Sequence, residues 1–291
     1  MSMKYICFFN YGHTGDILFS KIFINDLIEQ LDIYCLYHHN CHPRICEELP
    51  IQLTQILPQD YYSKFIETEK IFFVNTWLYP YSQDENFAGV NIKSLYYVYN
   101  NICNVINEKF KTNIKLKSIE NYFPSIYFNY LKKDNIDDFI TKNTNKKVLF
   151  CNGPCLSGQS CYNDDMSELI EMLALKYKNL TFIATKKFQT NIKNIFFTDN
   201  INQIKGCDLP EIGYLSTFCN LIIGRNSGPF AYSFLKENFD DENKIIYAYG
   251  HNKTDCFNGN IKMKSKFIFD DCENKNKINS KIENLIINHL I

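Results

Sequence analysis

Cys219 to Phe234 reads C-N-L-I-I-G-R-N-S-G-P-F-A-Y-S-F and gathers, in one short stretch, groups able to hold an anion. Leu221-Ile222-Ile223 is an apolar run that stops at Gly224, passes through Arg225, Asn226, Ser227 and Gly228, and resumes as an apolar-rich helical pattern opening at Pro229. That order predicts strand, tight turn, helix. Pro229 marks a start rather than a break, because the first turn of a helix has no carbonyl waiting for the missing N–H. The unpaired amides there, with the helix dipole behind them, make a seat for an anion such as a diphosphate. Gly224 and Gly228 let backbone and ligand approach closely, and Arg225 adds a forked donor. A strand-to-helix connection of any α/β domain has the same shape, so the stretch alone leaves both readings open.

The elements that must carry such a turn are legible on either side of it. Lys4 to Asn10 is a nearly continuous apolar strand of the kind buried in a parallel sheet. The loop Tyr11-Gly12-His13-Thr14-Gly15-Asp16 follows, then a helix from about Ile17 to Leu31 and a strand from Ile33 to Tyr37, which together make a βαβ start. Ile71 to Val74 is a short strand, Trp77 to Phe87 an aromatic loop, and Leu95 to Phe110 has helical spacing. Lys111 to Lys133 is less regular. Asp134 to Thr144 is polar enough to close a first domain, with the boundary near Asn145.

A second alternation begins with the strand Lys147 to Cys151 and the small, polar loop Asn152 to Ser160. Asp165 and Glu168 have capping-box spacing before a helix running to about Lys178, and strands follow at Leu180 to Ala184 and Ile195 to Phe197. A short helix from Leu209 delivers the chain to the strand and turn described first. Beyond them come strands at Lys244 to Tyr249 and Phe267 to Phe269, and a last helix from about Asn279 to Ile291. The expected fold is α/β: two Rossmann-like domains, residues 1–145 and 146–291, facing a central cleft, with the last helix a candidate to pack back on the first domain.

Composition narrows the function classes. With 291 residues, 45% hydrophobic and 22% charged, the chain has the make-up of a globular protein. A formal charge of -1 supplies no excess of Lys or Arg to neutralise phosphates in bulk, so neither nucleic acid nor an anionic membrane is an expected partner. No apolar segment is long enough to span a bilayer, and Met1-Ser2-Met3-Lys4 leads directly into a strand, so no signal peptide is expected. Of the twelve cysteines, Cys7, Cys35, Cys151 and Cys219 fall in or beside strand-like runs, where a thiol behaves as a small core residue. Reduced thiols and a cytoplasmic location are the expectation. Cys35, His38, His39, Cys41, His42 and Cys46 lie close together, but without the paired C-x-x-C spacing of a zinc site; a strand end running into a polar loop explains them as well, and no metal is expected. No G-x-G-x-x-G follows either first strand, which speaks against a dinucleotide cofactor.

The N-terminal strand with G-H-T-G-D-I-L-F-S-K, the mid-chain break, and D-L-P-E-I-G-Y-L-S-T-F-C-N-L-I-I-G-R-N-S-G-P-F-A together resemble glycosyltransferases of the heptosyltransferase type, glycosyltransferase family 9, which have the GT-B fold. The likeness covers most of the second half and about the first thirty residues of the first. It implies inverting transfer of a sugar from a nucleotide-diphosphate donor to an acceptor hydroxyl, often a glycan's, with no metal and no cofactor beyond the donor. By position, Asp16 after Gly15 matches the family's proposed general base, which takes the acceptor proton as the anomeric bond forms. Helix capping explains an aspartate there equally well. His13 stands as a reserve base or diphosphate donor.

By the same resemblance Asn226, Ser227, Gly228 and Pro229 match the donor-binding turn that stabilises the leaving diphosphate. Three departures accompany the match. The family's acid is Asn226 here, its histidine falls at Ala231, and its loop lysine is missing between Gly153 and Ser160, where Ser157, Gln159, Ser160 and backbone amides stand instead. Lys186, Lys187 or Arg225 are the residues able to compensate. Glu211 is a candidate partner for a ribose hydroxyl, or a first-turn glutamate serving its own helix. The departures also fit a degenerate member that binds a nucleotide sugar or glycan without turnover.

Overall fold

The computed structural model describes residues 4–56, 58–84, 91–154, 165–225, 227–250, 263–271 and 274–291. Two compact units divide them, parting between Ser125 and Ile126.

In the first unit the apolar run near the N-terminus becomes β1 (Tyr5–Asn10), whose Ile6, Cys7, Phe8 and Phe9 are wholly buried. Such a strand needs covering on both faces. It lies at the centre of a five-stranded sheet with β2 (Cys35–His39), β3 (Gln52–Leu53), β4 (Phe65–Glu67) and β5 (Ile71–Asn75), in the order β3-β2-β1-β5-β4. All pairings are parallel except β4 on β5. Helix α1 (Thr14–Ile28) returns from β1, and α2 (Ile92–Phe110) packs beside it through Phe23 stacked on Tyr99, with ring centroids 4.7 Å apart. Asn91 caps α2 by accepting from the Ser94 amide at 2.9 Å, and Lys111, at φ 57°, ends it in the left-handed conformation.

The chain winds from β1 outward to β2 and β3, then comes back to place β5 on the other side of β1. The loops after β1 and β5 therefore leave the sheet at the point where its winding reverses, the place where open α/β sheets bind ligands.

The second unit repeats the device with six strands, all parallel: β6 (Lys147–Cys151), β7 (Thr181–Ala184), β8 (Ile195–Phe197), β9 (Leu221–Gly224), β10 (Ile245–Tyr249) and β11 (Lys266–Asp270), ordered β11-β10-β9-β6-β7-β8. The reversal falls between β6 and β9. Around the sheet run α3 (Asp134–Lys142), α4 (Ser167–Lys176), α5 (Thr198–Asn202), α6 (Leu209–Ser216), α7 (Gly228–Ala231), α8 (Lys236–Phe239) and α9 (Lys275–His289). Val148, Phe150, Ile170, Leu173, Phe182, Ile223 and Tyr247 form part of one core, and α9 gives it Ile278, Ile282 and Ile286. The final helix, for which the sequence left open a return to the first domain, thus spends its apolar face on the second unit.

Composition suggested a boundary near Asn145, whereas the compact units part some twenty residues earlier. The reason is side-chain contact. Phe128 packs on Tyr214 at 4.9 Å and Phe139 on Phe196 at 5.0 Å, while the Tyr214 hydroxyl donates to Asp137 at 2.7 Å. The polar stretch expected to close the first domain is α3, with Ile136 buried, and it belongs to the second unit. Among the described residues no helix is long and apolar enough to cross a membrane.

Candidate functional site

In the first unit the loop after β1 is fixed by a chain of buried polar groups. Asn10 Oδ1 accepts from the Gly12 amide at 2.8 Å, and Asn10 Nδ2 lies 3.3 Å from both Ser20 Oγ and Thr76 Oγ1. Ser20 Oγ donates to the Thr76 carbonyl at 3.2 Å, and Thr76 Oγ1 to the Phe9 carbonyl at 3.0 Å. Asn10, Ser20 and Thr76 are all buried, and satisfied networks of this kind hold a loop in one conformation.

What that loop holds is Asp16. The residue sits in the first turn of α1, where its Oδ2 accepts the His13 amide at 2.8 Å. The carboxylate serves the N-terminus of its helix, as the capping reading expects, and remains partly exposed at the carboxyl edge of the sheet. Burial pushes its carboxyl above the ordinary aspartate range, opposed by the His13 amide and the nearby imidazole. A carboxylate so displaced is a better proton acceptor than a free one. Gly12 makes the arrangement possible: a Cβ there would stand 2.7 Å from Asp16 Cβ and 2.8 Å from its Cγ. His13 is the residue preceding α1 and its side chain is exposed, and Gly15 lies inside the first turn.

The Cys and His residues in and after β2 make local contacts. Cys35 Sγ donates to the Ile33 carbonyl at 3.2 Å, His38 Nδ1 lies 2.9 Å from the Thr54 carbonyl, and His42 Nδ1 accepts the Arg44 amide at 3.3 Å. Among the described residues no three His, Cys, Asp or Glu side chains converge as a metal site.

In the second unit the strand ends at the winding reversal are tied by two side chains. Asn152, buried just after β6, accepts the Lys186 amide on Oδ1 at 2.8 Å and donates through Nδ2 to the Lys186 carbonyl at 3.0 Å. That pair fastens the loop after β6 to the loop after β7 and leaves the side chains of Lys186 and Lys187 exposed at the edge. Arg225, 2% exposed, donates through Nε to the Gly153 carbonyl at 3.0 Å and through Nη2 to the Asn152 carbonyl at 3.3 Å. These bonds turn it inward. The forked donor expected for a diphosphate is a clamp joining β9 to the Gly153 turn, and Lys186 and Lys187 are the exposed cations of the set.

The helix that follows the turn after β9 is short. Ser227 precedes α7, Gly228 opens it and Pro229 stands in its first turn, but the helix ends at Ala231. Ser233 Oγ donates back to the Pro229 carbonyl at 3.2 Å, and Asn238 Nδ2 donates to the Ser233 carbonyl at 2.7 Å. With so few aligned peptides the dipole contribution is small, and local amides and hydroxyls carry the weight. Ser227 Oγ is buried and has no hydrogen-bond partner among the described residues. An orphaned buried hydroxyl is costly unless something else completes it. Gly224 serves packing: a Cβ there would meet the Phe230 ring at 2.3 Å. Gly153 differs, for none of the described residues lies within 4 Å of where its Cβ would be.

Glu211 is wholly buried in the first turn of α6, the position of a residue serving its own helix. Ser157, Gln159, Ser160 and Asn226 lie outside the described residues. Sequence reasoning missed Asn152, whose role depends on two loops meeting; its one signal was a polar residue before glycine at a strand end.

No protein-family model matches the sequence, and no curated protein matches it. Solved structures do. A glycosyltransferase family 9 protein from Veillonella parvula is similar over 98% of this chain and 92% of its own, at 12% identity and a TM-score of 0.52. The E. coli ADP-heptose lipopolysaccharide heptosyltransferase II is similar over 98% and 99%, at 10% identity and a TM-score of 0.55. The E. coli heptosyltransferase WaaC, solved with ADP-2-deoxy-2-fluoro heptose, is similar over 96% and 99%, at 8% identity and a TM-score of 0.50. At such identities the likeness is one of fold. The chain has the heptosyltransferase-like GT-B type of α/β fold, as its sequence motifs suggested.

Proposed function

We propose that this protein is a glycosyltransferase that moves a sugar from a nucleotide-diphosphate donor to an acceptor hydroxyl. The observation that carries the proposal is Asp16: a carboxylate at the winding reversal of the first sheet, fixed by the His13 amide and made more basic by burial. In an inverting transfer the acceptor oxygen attacks the anomeric carbon from the face away from the leaving diphosphate. As the new C–O bond forms, the hydroxyl proton passes to the Asp16 carboxylate, while the diphosphate leaves with the electron pair of the broken bond. His13 stands next to that carboxylate as a polar contact for substrate.

The donor falls to the second unit in this reading. Ser227 Oγ, without a partner among the described residues, completes its hydrogen bonding on a diphosphate oxygen, with the Gly228 amide beside it and Lys186 as the cation that the loop before Ser160 does not supply. One structural neighbour holds an ADP-linked sugar analogue, which makes nucleoside-diphosphate sugars the donors to try first. No step requires a metal.

The test is a panel of nucleotide sugars screened by calorimetry and then by transfer assay. Asp16→Asn is expected to keep donor affinity and to lose about 10²- to 10⁴-fold in turnover. Full turnover in that variant removes Asp16 from the chemistry. Donor binding without turnover in the unaltered protein favours instead the non-catalytic reading that Asn226, Ala231 and the missing loop lysine suggest.

A further inference from the structure

The first sheet's winding reversal carries a second feature besides Asp16. Five aromatic rings from three separate segments form a continuous row there. Tyr11, in the loop that leads to Asp16, lies 5.1 Å from Tyr61; Tyr61 lies 4.2 Å from Tyr62; Tyr62 lies 6.5 Å from Trp77 and 5.7 Å from Tyr79. Trp77 and Tyr79 stack at 4.9 Å with their planes 19° apart. The row is open to solvent, with Tyr61 42%, Tyr62 52% and Tyr79 57% exposed.

Exposed aromatic surface on this scale is costly to leave unused. It is also built rather than incidental. Asn75, wholly buried at the end of β5, donates through Nδ2 to the carbonyls of Tyr61 at 2.8 Å and Ser63 at 3.1 Å, and its Oδ1 accepts the Trp77 amide at 3.0 Å. Asp60 adds a second brace by accepting the Tyr62 amide at 2.9 Å. One side chain thus holds both ring-bearing loops in place, at cost to no ring face.

From this geometry we infer that the row is a stacking platform for the sugar rings of a carbohydrate acceptor. The inference rests on the glycosyltransferase reading and names the class of acceptor. A pyranose presents one face of C–H groups and an edge of hydroxyls. Aromatic faces with a negative quadrupole attract the polarised C–H groups, and phenol hydroxyls at the ring rims meet the edge. All five side chains bear a polar atom and none is aliphatic, unlike a surface made for lipid tails or a second protein core. Stacked nucleobases would need cations for their phosphates. The lysine just before β4, Lys64, is paired with Asp84 at 2.5 Å, Asp60 adds a negative charge, and the chain as a whole carries -1. An uncharged glycan fits this surface. Because Tyr11 and Asp16 share one loop, a glycan stacked along the row brings its hydroxyls towards the base.

Trp77 is the single tryptophan of the chain, so its emission reports on the platform directly. The experiment titrates the full chain with neutral oligosaccharides chosen on a glycan array, following Trp77 fluorescence, with a dT12 oligonucleotide as the alternative ligand. A saturable change with at least one oligosaccharide is expected, weakened about tenfold by Tyr62→Ala or Tyr79→Ala and kept by Tyr79→Phe. Both sites are exposed, and unchanged circular dichroism checks that the variants fold. No Trp77 response across the array, a response indifferent to both alanine variants, or tighter binding of dT12 overturns the inference. Glycan binding without any donor turnover would leave the platform standing and remove the transferase; donor turnover without glycan binding would do the reverse.

Discussion

The loop after β1 and the turn after β9 are built on one plan, strand to glycine-containing turn to helix, yet their polar groups end in opposite conditions. After β1 nearly every group is matched within the protein: Asn10 holds Gly12, Ser20 and Thr76, and the His13 amide holds Asp16. After β9 the Ser227 hydroxyl is buried without a partner among the described residues, and beyond α7's single turn there is little helix to supply a dipole. A satisfied network fixes a reacting group to within a few tenths of an ångström, whereas an unsatisfied one gains most from a ligand. The first loop is therefore suited to positioning a base and the second to receiving an anion.

The largest expected effect concerns the proposed base, Asp16. Since burial raises the Asp16 carboxyl above 3.8, its proton returns at a higher pH than an ordinary aspartate's. The acid limb of the pH–rate profile should accordingly lie above that of a free aspartate, and Asp16→Asn should flatten it along with the fall in turnover. Stability should move the other way. Burying the carboxylate costs the folded state at any pH above its folded pKa, and this cost disappears as pH falls below 3.8, where both states are protonated. At neutral pH Asp16→Asn should thus be as stable as the unaltered protein or more so. A large loss of stability would mean that the carboxylate is chiefly a helix cap.

Gly12→Ala tests how tightly the first loop is fixed. The added methyl group would press on Asp16 Cβ, an atom that cannot swing away without moving α1. A cost of about 1–3 kcal/mol in chemical denaturation is expected, together with a loss of turnover close to that of Asp16→Asn. Normal turnover would show that the loop yields easily, and the contrast between the two turns would weaken.

Arg225→Met examines the clamp under the second turn. The substitution removes the donors to the Asn152 and Gly153 carbonyls. We expect a lower Tm, a cost of about 1–3 kcal/mol, and weaker donor binding as the Gly153 and Ser227 turns come apart. Unchanged stability with weaker binding would return Arg225 to the diphosphate, as its sequence position had suggested.

The sequence disclosed these two turns better than it disclosed their surroundings. β1, β6 and β9 are apolar runs bounded by glycine or polar residues, and such runs are readable from hydrophobicity alone. β3 and β4 span two and three residues, too few for any period to show, and the one-turn helices α5 and α8 are equally silent. Arg225 and Asn152 could be noticed but not assigned, because both act on carbonyls or amides of loops more than thirty residues away. The aromatic row escaped for the same reason: Trp77 and Tyr79 stood out as a loop, but Tyr61 and Tyr62 join them only through Asn75.

Ser227→Ala should have the smallest effect on the folded protein and gives the sharpest reading of the contrast. A buried hydroxyl that bonds to nothing contributes no stability, and replacing it with a methyl-sized group relieves an unmet polar atom. Chemical denaturation should find the variant within about 0.5 kcal/mol of the unaltered protein, or slightly more stable. Donor binding should fall about tenfold, the worth of one hydrogen bond to a charged phosphate oxygen. The matching change in the first loop, Ser20→Ala, should do the reverse: Ser20 Oγ donates to the Thr76 carbonyl and receives Asn10, so its loss costs stability and leaves donor affinity unaltered. Equal stability losses in the two variants would mean that Ser227 is held by the protein after all, and that the second turn was built for packing.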